Sequence, residues 1–195
     1  MGQKIEHTKQ TPLSNLRNHF LIAMPSLNES IFSHTITYIC DHSEDGAMGL
    51  VINQPLGIDM SEIYQQLDCN DGNHHATHAV LSGGPVQPER GFILHSPEQQ
   101  WESSLAVSKD IMLTASRDII DAISRNQGPQ KFLVALGYAG WDKGQLEEEI
   151  ASNSWLTIPA EPHIVFDTPI EQRWAAASKS LGIDLNLISG TAGHA

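Results

Sequence analysis

The trio Cys40-Asp41-His42 and the run holding His74, His75 and His78 carry the residue types most used for covalent and metal chemistry. In an extended strand, residues two apart point to the same face, which would set the Cys40 thiol beside the His42 imidazole. A neighbouring imidazolium lowers a thiol pKa, so Cys40 and His42 form a candidate reactive pair. Asp41, Glu44 and Asp45 push the other way, and a buried cysteine commonly serves as a small apolar side chain. His74 and His78 stand four apart and would share a helical face, as zinc ligands do, with Cys69 and Asp71 nearby. The surrounding "NDGNHHATH" reads as loop and supplies no fixed further ligand, so no metal site is assigned.

Two glycine-rich stretches are the candidates for holding a small molecule. "SGGPV" contains Gly83 and Gly84 and is followed by Arg90 and His95. "LGYAGWDKGQLEEEI" places Gly137, Gly140 and Gly144 between an apolar run and an acidic helix, with Trp141 and Gln145 at its centre. A pocket joining the turn to this loop would draw on Gly83, Gly84, Arg90, His95, Gly140, Trp141 and Gln145, since backbone N–H groups at a helix start can bind anions. Neither spacing is a dinucleotide fingerprint or a P-loop, Ser82 does not sit in G-x-S-x-G, and no cofactor is implied. Glu147, Glu148 and Glu149 suit the positive end of a helix dipole and oppose a bound phosphate. On the other reading the glycines let a strand and a helix approach while Tyr138 and Trp141 fill the gap.

Several elements must position these residues. "FLIAMP" reads as a buried strand stopped by Pro25, and "SHTITYIC" as a second strand, joined through the turn "DHSEDG" to a hairpin partner in "AMGLVIN". Asp59 and Glu62 have capping-box spacing for a helix whose stripe is Met60, Ile63, Tyr64 and Leu67. Strands follow at "AVLSG" and "GFILHS" across the turn "GPVQPER", then a short hairpin in "SLAVSKDIMLTA". Ser116 caps a helix carrying Ile119, Ile120 and Ile123, ended by Gly128 and Pro129. "KFLVALGY" is a strand buried on both faces, and Asp142 with Gln145 has capping-box spacing for the acidic helix. Strands at "WLTI" and "HIVF" precede a last helix, with Thr168 as cap, Pro169 in its first turn, Glu171 closing the box and Gly182 at its end. Early hairpins and late strand–helix alternation predict an α/β (α+β) fold: a mixed, partly barrel-like β-sheet with helices on its faces.

Composition bounds the rest. With 195 residues, 40% of them apolar, the chain makes one domain over 19–195, or two lobes sharing a core, behind a loose polar segment at 1–18. The longest apolar runs are far below the ~20 residues that cross a bilayer, so the expectation is a cytoplasmic protein with no membrane contact. Two cysteines fit a reducing compartment. Net charge is −12, and between Asn18 and Glu89 there is no Lys or Arg. Such a surface repels phosphate backbones, which argues against direct nucleic-acid binding.

"FLIAMP", "GAMGLVIN", "GGPV", "LHS", "LGYAGWDKGQLEEEI", Trp155 and the closing "GHA", in that order from about Phe20 to Ala195, resemble the AlgH/YqgE family. The resemblance implies a cytosolic bacterial protein with a mixed β-sheet core and flanking helices, in a family often labelled as transcriptional regulators. It brings no established catalytic residues. With no assembled nucleophile–base set, the leading expectation is a non-catalytic regulatory protein that acts by contact with a protein partner. The rival is a small-molecule sensor or enzyme using the turns at 83–86 and 137–145. A direct DNA-binding regulator comes third, since neither a helix-turn-helix pattern nor a basic face is present. Oligomeric state is not set by the sequence.

Overall fold

The computed structural model describes residues 15–24, 34–69 and 73–182. In chain order the first strands are β1 (His19–Ala23), β2 (Ile36–Ser43), β3 (Gly46–Val51), β4 (Pro55–Asp59) and β5 (Ala79–Ser82). They are followed by β6 (Val86–His95), β7 (Ser104–Ala106), β8 (Met112–Thr114), β9 (Phe132–Asp142) and β10 (Trp155–Pro159). The helices are α1 (Met60–Gln66), α2 (Arg117–Ser124), α3 (Gln145–Ala151), α4 (Pro162–Phe166) and α5 (Arg173–Ser180). The strands form one curled sheet in the order β10-β1-β2-β3-β9-β6-β8-β7, with β4 and β5 branching from β9. All pairings are antiparallel except β5 with β9, which makes the sheet mixed and half-barrel in form.

β9 holds the two parts of this sheet together by changing partners along its length. Its first half lies between β5 and β6, with Val134 opposite Val80 on one side and Ile93 on the other. Phe132 to Ala135 are therefore all buried, as the near-continuous apolar run predicts. Its second half pairs with β3, Met48 opposite Gly140 and Ala47 opposite Trp141. The switch falls at Gly137, whose φ of +72° is natural only for glycine. There the chain meets Gly83 and Gly84 backbone to backbone: the Gly83 N–H donates to Leu136 O at 2.8 Å, and Gly83 O accepts from Val51 N–H at 2.9 Å. A Cβ at Gly84, φ +151°, would overlap the Tyr138–Ala139 peptide.

The curl sorts the apolar residues into three clusters. The largest fills the concave side, where Phe20, Tyr38 and Leu50 meet Phe92, Leu94 and Leu133, and Ile164, Val165 and Ala177 of α4 and α5 close one end. A second lies under α1 and α2 and joins Met60, Ile63 and Tyr64 to Ile119, Ile120 and Ile123. The third, under α3, collects Leu16, Ile39, Trp141, Leu146 and Trp155. Of the segment expected to be loose, residues 1–14 lie outside the described residues, while Leu16 is buried in the third cluster.

Several local expectations need correction. "HIVF" is not a strand but the helix α4: Pro162 sits in its first turn, and Ile164 and Val165 turn into the core. A short apolar run fits either structure by periodicity, and here packing decides. The last helix starts at Arg173, after a 3₁₀ turn at Ile170–Gln172. Pro169 is extended (ψ 142°), and the Thr168 hydroxyl donates back to His163 O at 3.1 Å rather than capping forward. Gly182, φ +68°, does follow its end. "DHS" continues β2 and "VQPER" belongs to β6, so both expected turns are shorter. β5 and β6 are not a hairpin, because β9 lies between them. β4 was not expected from its short proline- and glycine-bearing sequence, and it forms by pairing with β5. α2 stops at Ser124, before Gly128 and Pro129, where Asn126 takes up a left-handed turn. The cap of α3 is Gly144, φ +77°, not Asp142.

Gly84→Ala is expected to cost roughly 2–6 kcal/mol, combining backbone strain with forced overlap. Gly57→Ala, also at positive φ but with nothing within 4 Å of the new methyl, should cost only about 1–2 kcal/mol. Urea melts of the two variants test whether the close approach, beyond the dihedral angle, holds the sheet halves together.

Candidate functional site

The loop at 136–150 resolves into two faces. Side chains alternate along β9, so Ala139 and Trp141 enter the cluster under α3 while Tyr138, Gly140 and Asp142 face the concave side. Trp141 is 6% exposed and meets Trp155 edge-to-face, ring centres 6.1 Å apart. Both indole N–H groups donate to one oxygen of Glu149, at 2.9 and 2.7 Å. The other oxygen accepts from Gln145 Nε2 at 2.9 Å, and Gln145 Oε1 accepts from Asp142 N–H at 3.0 Å. Gln145 thus reaches back to Asp142 across the expected spacing, but from the first residue of α3 and past the Gly144 cap. Trp141 and Gln145 are joined to each other through Glu149, in a contact that pins α3 to the sheet.

On the concave side of β2, β3 and β9 lies an open groove of about 570 Å³. Its floor is Met48, Phe92 and Tyr138, the two rings meeting edge-to-face at 5.6 Å. Asp41, Asp45 and Asp142 stand around it, exposed and with no ion pair among the described residues. Arg90 faces them from β6, its guanidinium 5.2 Å from the Phe92 ring centre and Nη1 donating to Gln87 Oε1 at 3.2 Å. Of the residues proposed from sequence, Arg90, Gly140 and the Trp141 backbone border this groove. Gly83 and Gly84 lie behind it, packed on Gly137 and Tyr138 rather than open to a ligand.

His95 is elsewhere. It is fully buried at the far end of β6, with Nδ1 donating to Ser96 O and Nε2 accepting from the Thr114 hydroxyl, both at 2.8 Å. Burial holds its pKa below the ordinary value, so it is a neutral structural imidazole.

Cys40 and His42 do not form a pair. A β-bulge between Ile39 and Asp41 inserts one residue against β3, which reverses the alternation after Cys40. Cys40 points into the concave core, where its thiol donates to Tyr38 O at 3.6 Å and burial pushes its pKa far up. His42 turns to the opposite face. Its Nδ1 accepts from Leu16 N–H at 2.9 Å, so Nε2 carries the proton and donates to Glu147 at 2.8 Å. The same bulge brings Asp41 round to the groove.

In the histidine-rich run, His75 has φ +58° and its Nε2 meets Asn126 Oδ1 at 3.2 Å, while His78 lies over Phe132 with centres 4.5 Å apart. Among the described residues no three His, Cys, Asp or Glu side chains gather as metal ligands. Asp71, in the same expectation, lies outside the described residues.

The AlgH-like family model (DUF179) matches residues 20–186. The chain belongs to the AlgH-like family. A UPF0301 protein of Saccharophagus degradans is 58% identical to it over 181 residues, 93% of this chain and 89% of that protein. A second, from Thioalkalivibrio sulfidiphilus, is 54% identical over 95% of this chain and all of that one. Among solved structures, the solution structure of AlgH from Pseudomonas aeruginosa superposes with a TM-score of 0.79 at 44% identity, covering 96% of this chain and 100% of that one. A Corynebacterium diphtheriae protein of 18% identity shares the fold, with TM-score 0.73 and 95% of each chain covered. No described helix in this AlgH-like chain is long and apolar enough to cross a membrane.

Sequence reasoning missed the groove's own composition. Tyr138, Gly140 and Asp142 were legible as one face of a strand by their spacing of two. Nothing in "CDHSED" announces the bulge that adds Asp41, and the approach of Phe92 to Tyr138 is purely tertiary.

Two predictions follow from the contacts of α3. Trp141→Ala should cost roughly 3–5 kcal/mol and lower the melting temperature by about 6–20 °C, whereas Gln145→Ala should cost only about 1 kcal/mol. Calorimetry of both measures this, and a Trp141→Ala protein as stable as wild type would remove the indole from the architecture. For Glu147, burial raises its carboxyl pKa, but its own backbone N–H and His42 outweigh that and hold it below the ordinary 4.5. A depressed carboxylate adds stability that is present above 4.5 and lost as pH falls through the folded value. The stability difference between wild type and Glu147→Gln should therefore be flat near neutrality and shrink below pH 4.5.

Proposed function

We propose that this AlgH-like protein is a non-catalytic regulatory protein that holds a basic, extended segment of a protein partner in the groove beside β9. The observation that carries this reading is the gathering of three carboxylates, Asp41, Asp45 and Asp142, against a single cation, Arg90, over an aromatic floor of Phe92 and Tyr138. Carboxylates select Lys and Arg, while the rings receive their alkyl stems and cationic heads. Beyond the Val86–Tyr138 pair, no described strand pairs the other edge of residues 139–142, and Gly140, Trp141 and Asp142 border the same groove. An extended segment can add there as a strand. The nucleophile and bases considered from sequence support a non-catalytic role, because each is committed to a structural contact. Cys40 is sealed in the core, and His42 and His95 are bonded through both ring nitrogens.

The test uses a fluorescein-labelled peptide of alternating Arg and Val, with a Glu-Val peptide as control, followed by anisotropy. Wild type should bind only the basic peptide, more weakly as salt rises. Asp41→Asn and Asp142→Asn, both at exposed positions, should each weaken binding roughly two- to fivefold. Equal binding of the two peptides, or variants indistinguishable from wild type, would refute the proposal.

A further inference from the structure

On the side of the molecule where α4 and α5 close the core, one charged group has no counter-ion in contact. Arg173, first residue of α5, is 7% exposed. Its Nε donates to Thr168 O at 3.0 Å and its Nη1 to Ile52 O at 2.5 Å, both uncharged carbonyls. No carboxylate lies within ion-pair distance of the guanidinium among the described residues. The remaining nitrogen, Nη2, makes no hydrogen bond there, yet it is not among the buried atoms left without a partner, so it keeps a path to solvent. Burial draws the pKa of the group down to about 10, which leaves it charged at neutral pH. A guanidinium so desolvated without a contacting anion is costly.

Arg173 borders a cavity of about 420 Å³, together with the start of β5 and the α4–α5 connection. Leu81, Phe132 and Phe166 supply apolar lining, and Thr77 also borders the space. His78 is held neutral at pH 7, burial being the chief cause, so it adds no charge. Two carboxylates also border the space. Asp167 is paired with Lys131 at 2.6 Å, and Glu171, though it favours the charged guanidinium through space, does not touch it. Glu171 offsets the guanidinium charge only through space, so the site admits one negative charge in contact with Arg173 and disfavours a second beside Glu171.

We propose that this cavity binds a small monocarboxylate with an apolar stem, its carboxylate on Arg173 Nη2 and its stem against Leu81, Phe132 and Phe166. Charge-assisted hydrogen bonding supplies the selectivity for an acid, and the rings supply that for the stem. The site is separate from the groove beside β9 and does not depend on what that groove holds.

The test is titration of the ¹⁵N-labelled full chain with isocaproate, isocaproamide and succinate, following the Arg173 Nε–Hε signal and the backbone amides of Leu81 and Phe166. Isocaproate should shift all three saturably. Isocaproamide, which lacks the charge, should bind at least about tenfold more weakly, and succinate more weakly than isocaproate. Glu171→Gln, at an exposed position, should raise succinate affinity about two- to fivefold by removing the opposing acid. Because Arg173 also holds Ile52, Arg173→Gln is a secondary test: it should abolish the isocaproate shifts while native dispersion is retained. Absence of saturable shifts with isocaproate, equal binding of acid and amide, or unchanged succinate affinity in Glu171→Gln would overturn the proposal.

Discussion

The fold depends on one close approach, that of the Gly83–Gly84 backbone to the peptides of Leu136 to Ala139. At that point β5 ends, β9 crosses from one set of partners to another, and β3 is tied in through Val51. Side chains would force these backbones apart, and the sheet would divide into two with no shared concave face. Because they touch, Phe20, Tyr38 and Leu50 from one side pack with Phe92, Leu94 and Leu133 from the other. The glycines first considered as a ligand cradle are the hinge of the sheet.

A second device, the bulge in β2, distributes chemistry between the faces. Without it Cys40, His42 and Asp41 would keep strict alternation, with thiol and imidazole side by side. The extra residue sends His42 outward to Leu16 and Glu147 and Asp41 inward to the groove. One irregularity both removes a reactive pair and builds an acidic rim. Acidity has two roles in this protein. Glu147 lies in the first turn of α3, where the helix dipole favours it, and it accepts from His42, while Glu149 accepts from Trp141 and Trp155. Asp41, Asp45 and Asp142 accept none from the described residues and stand exposed around the groove.

The two regions proposed to bind lie in different parts of the fold and differ in chemistry. The groove is open and acidic, and among the described residues no strand pairs the β9 edge beside it, which suits a peptide segment. The cavity at Arg173 is smaller and centred on a buried cation, which suits a small acid. That the fold is shared with a protein of 18% identity means the sheet frame tolerates wide change in side chains. Specificity in such a frame resides in the residues placed at its openings rather than in the frame itself.

Local signals in the sequence were sufficient for the elements whose cause is local. The β-branched run 36–40, the alternating apolar positions of β9, the Asp59 cap and the isoleucine stripe of α2 each report directly on their own structure. So does the net charge, and the family was already legible in motifs spread along the chain. The Trp141 plug was legible too, since an aromatic residue between a buried strand and a helix has few places to go. What only the tertiary structure decided are features whose cause lies far away in sequence. β4 is a strand because β5 pairs with it, and "HIVF" is a helix because the core closes over Ile164 and Val165. The bulge appears only where β2 pairs with β3, and Arg173 is buried against Ile52 O, 121 positions earlier. Periodicity records which face of an element is apolar. It carries no information on what that face will meet, and both proposed sites are made of such meetings.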